Sequence, residues 1–176
     1  MIKTIKTQLL IGLIGDTHIH FPAFEVLHQI IDDFKEKEID YLVHVGDFTS
    51  HKVYEEFRKI FGTEKVIGIT GNMDDSKISK ELPEKIELNL YGHKILITHG
   101  AGGPTTIIKY LNKKFDLSPY DIIIFGHTHH PYNKKEKDGK FYINPGTPTD
   151  KRFTNVNSYG YLKISQEKVE PQIIYL

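Results

Sequence analysis

Five short apolar runs in this chain each end in a glycine-containing turn that carries a side chain able to bind a metal ion. Ile14 leads into Gly15-Asp16-Thr17-His18, Val45 into Gly46-Asp47, Ile69 into Thr70-Gly71-Asn72, Ile97 into Thr98-His99-Gly100, and Phe125 into Gly126-His127-Thr128-His129. The leading donors Asp16, Asp47, Asn72, His99 and His127 follow one another at intervals of 31, 25, 27 and 28 positions, one for each strand-and-connection unit. Two carboxylates, an amide oxygen and four imidazoles, in a chain without cysteine, suit Mn, Fe, Ni or Zn better than Ca or Mg, which favour all-oxygen shells. Seven donors are too many for one open catalytic ion. Two ions about 3.5–4 Å apart sharing a carboxylate would use them all, a common device for in-line attack at phosphorus. Two divalent cations against two carboxylates leave a positive centre that attracts an anionic phosphate ester.

The elements that must position these donors alternate between apolar runs and amphipathic segments, which predicts an α/β fold. Strands are expected at 9–14, 41–45, 65–69, 94–98 and 121–125. Helices are expected from Pro22, with Phe24, Leu27, Ile31 and Phe34 on one face; after Ser50 as N-cap; and from Pro104, with Ile107, Ile108 and Leu111 facing inward. In a mainly parallel sheet the carboxyl ends of successive strands share one edge, where such sheets place their ligands. After His130 the pattern becomes hairpin-like, with strands at 132–137, 140–143, 159–164 and 172–176, a tail expected to add antiparallel strands to a second sheet.

A chain of 176 residues is expected to form one domain over 1–176. Its 23 basic and 23 acidic side chains cancel, which argues against nucleic acid as a partner, and a small phosphate-ester substrate fits better. No apolar stretch reaches the roughly 18 residues of a membrane span. The absence of cysteine and of a signal-like N-terminus points to a soluble, cytoplasmic protein. A homo-oligomer stays open.

Asp16-x-His18, Gly46-Asp47, Gly71-Asn72, His99-Gly100 and Gly126-His127-x-His129 together resemble the ordered motif set of the calcineurin-like metallophosphoesterases, and the short length resembles their small YfcE-like phosphodiesterase branch. Asn144-Pro145-Gly146 resembles a further turn of that branch. The resemblance implies two packed mixed β-sheets flanked by helices. It also implies a dinuclear centre with a bridging hydroxide: Asp16, His18 and His129 at one ion, Asn72, His99 and His127 at the other, and Asp47 between. The expected activity is phosphodiester hydrolysis. A non-catalytic protein-binding scaffold of the same fold, such as the retromer subunit, and a phosphomonoesterase or nuclease of the same superfamily are the alternatives.

This chain departs from the family pattern at Met73, where many relatives have a histidine credited with protonating the leaving group, and at Gly15, where serine is frequent. His20 is the candidate to stand in as proton donor or phosphate contact. His44, inside an apolar run, reads as a packed or supporting histidine, and His28, His51 and His93 as surface or structural. His130 reads as a solvated turn, Asp74 and Asp75 as turn residues, and Arg152 as half of a surface salt bridge, while Gly100 to Pro104 reads equally as a phosphate cradle at a helix N-terminus or a flexible loop on the substrate side.

Overall fold

The computed structural model describes residues 6–19 and 23–176. In chain order its strands are β1 (Gln8–Ile14), β2 (Tyr41–His44), β3 (Val66–Gly68), β4 (Lys85–Leu90), β5 (His93–Thr98), β6 (Ile122–Phe125), β7 (Tyr132–Lys135), β8 (Phe141–Asn144), β9 (Ser158–Ser165) and β10 (Val169–Tyr175). Its α-helices are α1 (His28–Glu36), α2 (His51–Phe61), α3 (Ser76–Glu81) and α4 (Ile107–Lys114).

The strands form two five-stranded mixed sheets, ordered β10-β9-β1-β2-β3 and β4-β5-β6-β8-β7. In the first, β1, β2 and β3 run parallel, and β9 lies antiparallel to both β1 and β10. In the second, β5, β6 and β8 run parallel, with β4 and β7 antiparallel at the edges. Alternation along the strands decides which faces meet. Ile11, Leu13, Val43, Leu162 and Ile164 of the first sheet pack against Ile95, Ile97, Ile122, Ile124 and Ile143 of the second. The opposite face of the first sheet, with Ile14, Leu42, Tyr159 and Tyr161, receives Ile31 and Phe34 of α1 and Val53 and Phe57 of α2. Leu96, Ile123, Phe125 and Tyr142 receive Ile107 and Leu111 of α4. The result is a sandwich of two sheets with helices on both outer faces.

Several expectations need correction. The donor-bearing strands do not share one sheet edge. Three belong to one sheet and two to the other, because each parallel run buries both faces and needs a second sheet to cover one of them. The tail is split as well. β8 pairs with β6 in parallel, since the β7–β8 hairpin turns back on itself, whereas β9 and β10 complete the first sheet. β9 is apolar on both faces and so occupies an interior position, and Pro171 sits in β10 at the edge, where a missing N–H is tolerated.

The first helical segment opens with a 3-10 turn (Ala23–Leu27) before α1, while Pro22 lies outside the described residues. Ser50 occupies the N-cap position of α2 without a side-chain bond, and Asp75 Oδ2 accepts from His51 N at 2.8 Å instead. The α4 helix begins three residues after Pro104. β4 and α3 were missed, although Ile86, Leu88 and Leu90 alternate as a strand and Asp75 is an N-cap that accepts from Lys77 N and Ile78 N.

Candidate metal centre

The ends of β1, β2 and β3 meet those of β5 and β6 across the sandwich, and backbone bonds lock their loops together. Asp16 N donates to Gly46 O at 3.0 Å and His18 N to Asp47 O at 3.0 Å, and Gly126 N donates to His99 O at 3.1 Å. All seven expected donors converge on this junction.

Asp47 is at its centre. Its Oδ1 accepts from Met73 N at 2.7 Å, leaving Oδ2 at 3.4 Å from both His18 Nε2 and His99 Nε2. On one side, Asp16, His18, Asp47 and His129 each offer a ligand atom, and these lie within 4.8 Å of one another. His18 Nε2 and His129 Nε2 stand 3.1 Å apart, and Asp16 Oδ1 is 3.6 Å from the latter. On the other side, Asn72 Oδ1 is 3.0 Å from His99 Nε2 and 2.8 Å from His127 Nδ1. His99 is oriented by its Nδ1, which donates to Val45 O at 2.7 Å and so turns Nε2 inward.

The backbone is strained where the donors sit. Asp16 (φ 48°), His18 (φ 43°), Asp47 (φ 58°), His127 (φ 69°) and His129 (φ 58°) all adopt left-handed conformations, as does the β-branched Thr49 (φ 75°). Each costs roughly 1–3 kcal/mol and persists where the surroundings over-determine it. Gly71 has a steric reason to be glycine, since a Cβ there would lie 2.2 Å from Asp47 Oδ1. Gly46 combines φ 93° with a Cβ position 2.8 Å from His99 Nδ1.

The electrostatics suit a cation. Burial pushes the Asp16 carboxyl up to about 7, with Asp47 adding to the rise and His99 opposing it. Burial would depress His99, but the hydrogen bond and charge of Asp47 and the charge of Asp16 raise it to about 9. Burial and the neighbouring His18 lower His129 to about 4, and burial lowers His18 and His127 as well. Neutral imidazoles and crowded carboxylates are the forms metals bind. The donor set therefore fits divalent metal.

Supporting residues explain how the loops stay in place. Asp74, expected as a turn residue, accepts from Asp47 N at 3.1 Å, Thr49 N at 2.8 Å and Gly71 N at 2.7 Å, tying two donor loops together. His44 is fully buried and stacked on Phe48 at 3.5 Å. Its Nδ1 accepts from Gly46 N, so its Nε2 carries the proton towards Thr17 Oγ1 at 3.1 Å. Asn144 Nδ2 donates to Gly126 O and Thr128 Oγ1, while Thr147 Oγ1 donates to Asp16 O at 2.7 Å.

Asp150 carried no sequence signal, standing in a loop three residues after Thr147 without a motif around it. Its Oδ2 lies 3.3 Å from His129 Nδ1, and Arg152 holds the carboxylate through Nε and Nη2. The expected Arg152 salt bridge exists, but it belongs to the site. His51 is buried and bonded to Glu81 at 2.6 Å, and His130 borders the cleft without joining the donors. His20 lies outside the described residues.

A cleft of about 470 Å³ opens over the centre, bordered by His18, Asn72, Met73, His127, Arg152 and Phe153 and by the Gly102-Gly103-Pro104 turn. Among the described residues, no helix is long and apolar enough to cross a membrane.

Residues 9–167 match the model of the calcineurin-like phosphoesterase superfamily domain. The chain is 32% identical over 169 residues to a probable metallophosphoesterase of Methanothermobacter thermautotrophicus, covering 94% of this chain and 92% of that protein. It is 29% identical to a phosphodiesterase of Methanocaldococcus jannaschii over 77% of this chain and 82% of the relative. The fold is similar to that of Vps29 from Entamoeba histolytica complexed with Zn²⁺, with a TM-score of 0.71 and 20% identity over 95% of this chain and 99% of that one. With the family model spanning most of its length and the ordered donor loops meeting at one junction, the chain belongs to the calcineurin-like phosphoesterase superfamily.

Proposed function

We propose that this protein is a metal-dependent phosphodiesterase of small phosphate esters. The observation that carries the reading is the position of Asp47, whose Oδ2 stands 3.4 Å from a histidine of each donor group. In this reading Asp16, His18 and His129 hold one divalent ion (Mn, Ni, Zn or Fe), Asn72, His99 and His127 hold a second, and Asp47 serves both. Two such ions, when bound, supply an activated water and withdraw charge from the phosphoryl oxygens.

The chain's own residues define the rest. The net reaction forms a bond from a water oxygen to phosphorus and breaks the bond to one ester oxygen, which leaves with the electron pair. Met73, beside Asn72 on the cleft wall, has a thioether and cannot protonate that oxygen. Substrates whose alcohol leaves readily as an anion are therefore favoured, as in an aryl diester. The name of the Methanocaldococcus relative supports diesters over monoesters.

The test is a screen of phosphodiesters, phosphomonoesters and nucleotides with Mn²⁺, Ni²⁺ and Zn²⁺, with the Asp47→Ala protein as blank. Metal-dependent turnover of aryl diesters, absent from the blank, is expected; activity that survives both chelation and the substitution would sink the reading. The similarity to Vps29 favours a second reading, a protein-binding scaffold. Bound metal does not separate the two, because that Vps29 also carries Zn²⁺. Turnover does.

A further inference from the structure

The cleft is larger than a phosphoryl group needs. At about 470 Å³ it falls within the roughly 300–1,000 Å³ of pockets that take whole organic ligands. Its outer wall is formed by side chains that the metal centre does not use. Phe153 is 62% exposed and Met73 54% exposed, and both border the cleft. Phe153 is nevertheless held in orientation: its ring meets that of His129 edge-on at 86° and 5.1 Å between centroids, and the Arg152 guanidinium stands 5.6 Å from its ring centre. Asp150 fixes Arg152 in turn. An exposed aromatic ring held edge-to-face by a donor histidine, with a pinned arginine over the ring, is fixed in place to receive a further ring. Met73 borders the same cleft, and its thioether favours aromatic over aliphatic surface.

A second hollow of about 350 Å³ adjoins the first, sharing His18, Met73 and Arg152 and bordered otherwise by Thr49, Thr149 and Asp150. The centre is thus flanked by two spaces of different character, one walled by Phe153 and the other by hydroxyl and carboxylate groups. A diester has two organic arms on one phosphorus, so two spaces meeting at the donors match its shape.

We infer that Phe153 and Met73 form a subsite for a planar aromatic arm of the substrate, making this chain selective for phosphodiesters that carry an arene or a nucleobase. The inference rests on the phosphodiesterase reading and adds to it the residues that select the substrate. An aryl arm also fits a cleft wall carrying Met73 rather than an acid, because a phenol-type leaving group ionises near pH 10, as tyrosine does, and departs without an acid.

Calorimetric titration of the Mn²⁺-loaded chain with diphenyl phosphate and with dicyclohexyl phosphate, two monoanions of twelve carbons each, tests this, with the steady heat of any turnover subtracted from the heat of binding. Diphenyl phosphate is expected to bind about tenfold tighter, the scale of one stacked ring. Phe153→Ala should bring the two affinities together and Phe153→Tyr should keep them apart. Phe153 is exposed, so its truncation leaves the core intact, and the number of bound Mn²⁺ ions reports the fold of the site directly. Equal affinities in the parent protein, or a preference that survives Phe153→Ala, overturns the inference and leaves the phosphodiesterase reading intact. Failure of both diesters to bind a protein that holds its ions counts against that reading and removes the inference with it. Adenylyl-adenosine identifies the source of the ring: tighter binding than diphenyl phosphate assigns a nucleobase, weaker binding an arene.

Discussion

Asp150 Oδ2 lies 3.3 Å from Nδ1 of His129, and both side chains are buried. The Arg152 guanidinium, through its hydrogen bonds, keeps the Asp150 carboxyl down at about 2 against the opposing effect of burial, so the carboxylate remains charged. A carboxylate behind a ligand histidine fixes the ring and its tautomer, leaving Nε2 for the ion. Asp150→Asn should weaken metal binding by about 10- to 100-fold. Competition with a chelating dye measures this, and an affinity equal to that of the parent would show that Asp150 does not position His129.

Metal loading should depend on pH. In the metal-free protein the Asp16 carboxyl is pushed up to about 7 and His99 up to about 9, so both compete for protons with the ion. Apparent affinity should rise from pH 6.5 to 9, with protons released on binding. Calorimetry in buffers of different ionisation heat counts them, and a pH-independent affinity would contradict the assignment.

The same groups set the stability of the metal-free fold. Both have folded values above their unfolded ones, so they bind protons more tightly when folded, and stability present at low pH is lost as pH rises from 3.8 to about 7 for Asp16 and from 6.5 to about 9 for His99. The depressed histidines, His18, His44, His127 and His129, act below their ordinary value of 6.5 and do not contribute to this window. Chelator-treated protein should therefore lose stability between pH 6.5 and 9, chiefly through His99, by at most about 1.4 kcal/mol per pH unit. Saturating Mn²⁺ should abolish the decline, which thermal melts across that range would record.

His44→Phe should preserve the stack on Phe48 but leave the Gly46 N–H and the Thr17 hydroxyl without their imidazole partner. The expected loss is roughly 1–3 kcal/mol. Urea unfolding of the metal-free protein reads this without involving the ions. A change of a few tenths of that size would mean that the loops find other partners.

Gly71→Ala would place a methyl carbon 2.2 Å from Asp47 Oδ1 and 2.4 Å from Asp47 N. Asp47 would have to move, and with it the oxygen shared by the two donor groups. Loss of bound Mn²⁺ with a folded circular dichroism spectrum is the expected outcome. Unchanged Mn²⁺ binding would show that the Asp47 loop is softer than its network with Asp74 and Met73 implies.

The donors were legible because their chemistry is local. Asp, Asn and His after apolar runs, at spacings of one strand and one connection, announce themselves without coordinates, and Asp16, His18, Asp47, Asn72, His99, His127 and His129 all reach the junction. The packed nature of His44 was legible too, from the apolar residues on either side. Asp150 was not, since its importance comes from facing His129 across the sandwich, and proximity between loops leaves no mark in composition. β4 carries a period-2 pattern in Ile86, Leu88 and Leu90, but its alternate residues Lys85, Glu87 and Asn89 are polar, so no continuous apolar run marks it.

By itself the sequence determined the α/β class, the donor types and their order along the chain, because residue chemistry and hydrophobic periodicity act over a few neighbouring residues. The tertiary structure decided that the donor loops face one another from two sheets, that β9 and β10 complete the first of them, and that Asp150, Arg152 and Phe153 join the site. These are outcomes of burying both faces of each sheet at once, a condition on the whole chain that no local segment can express.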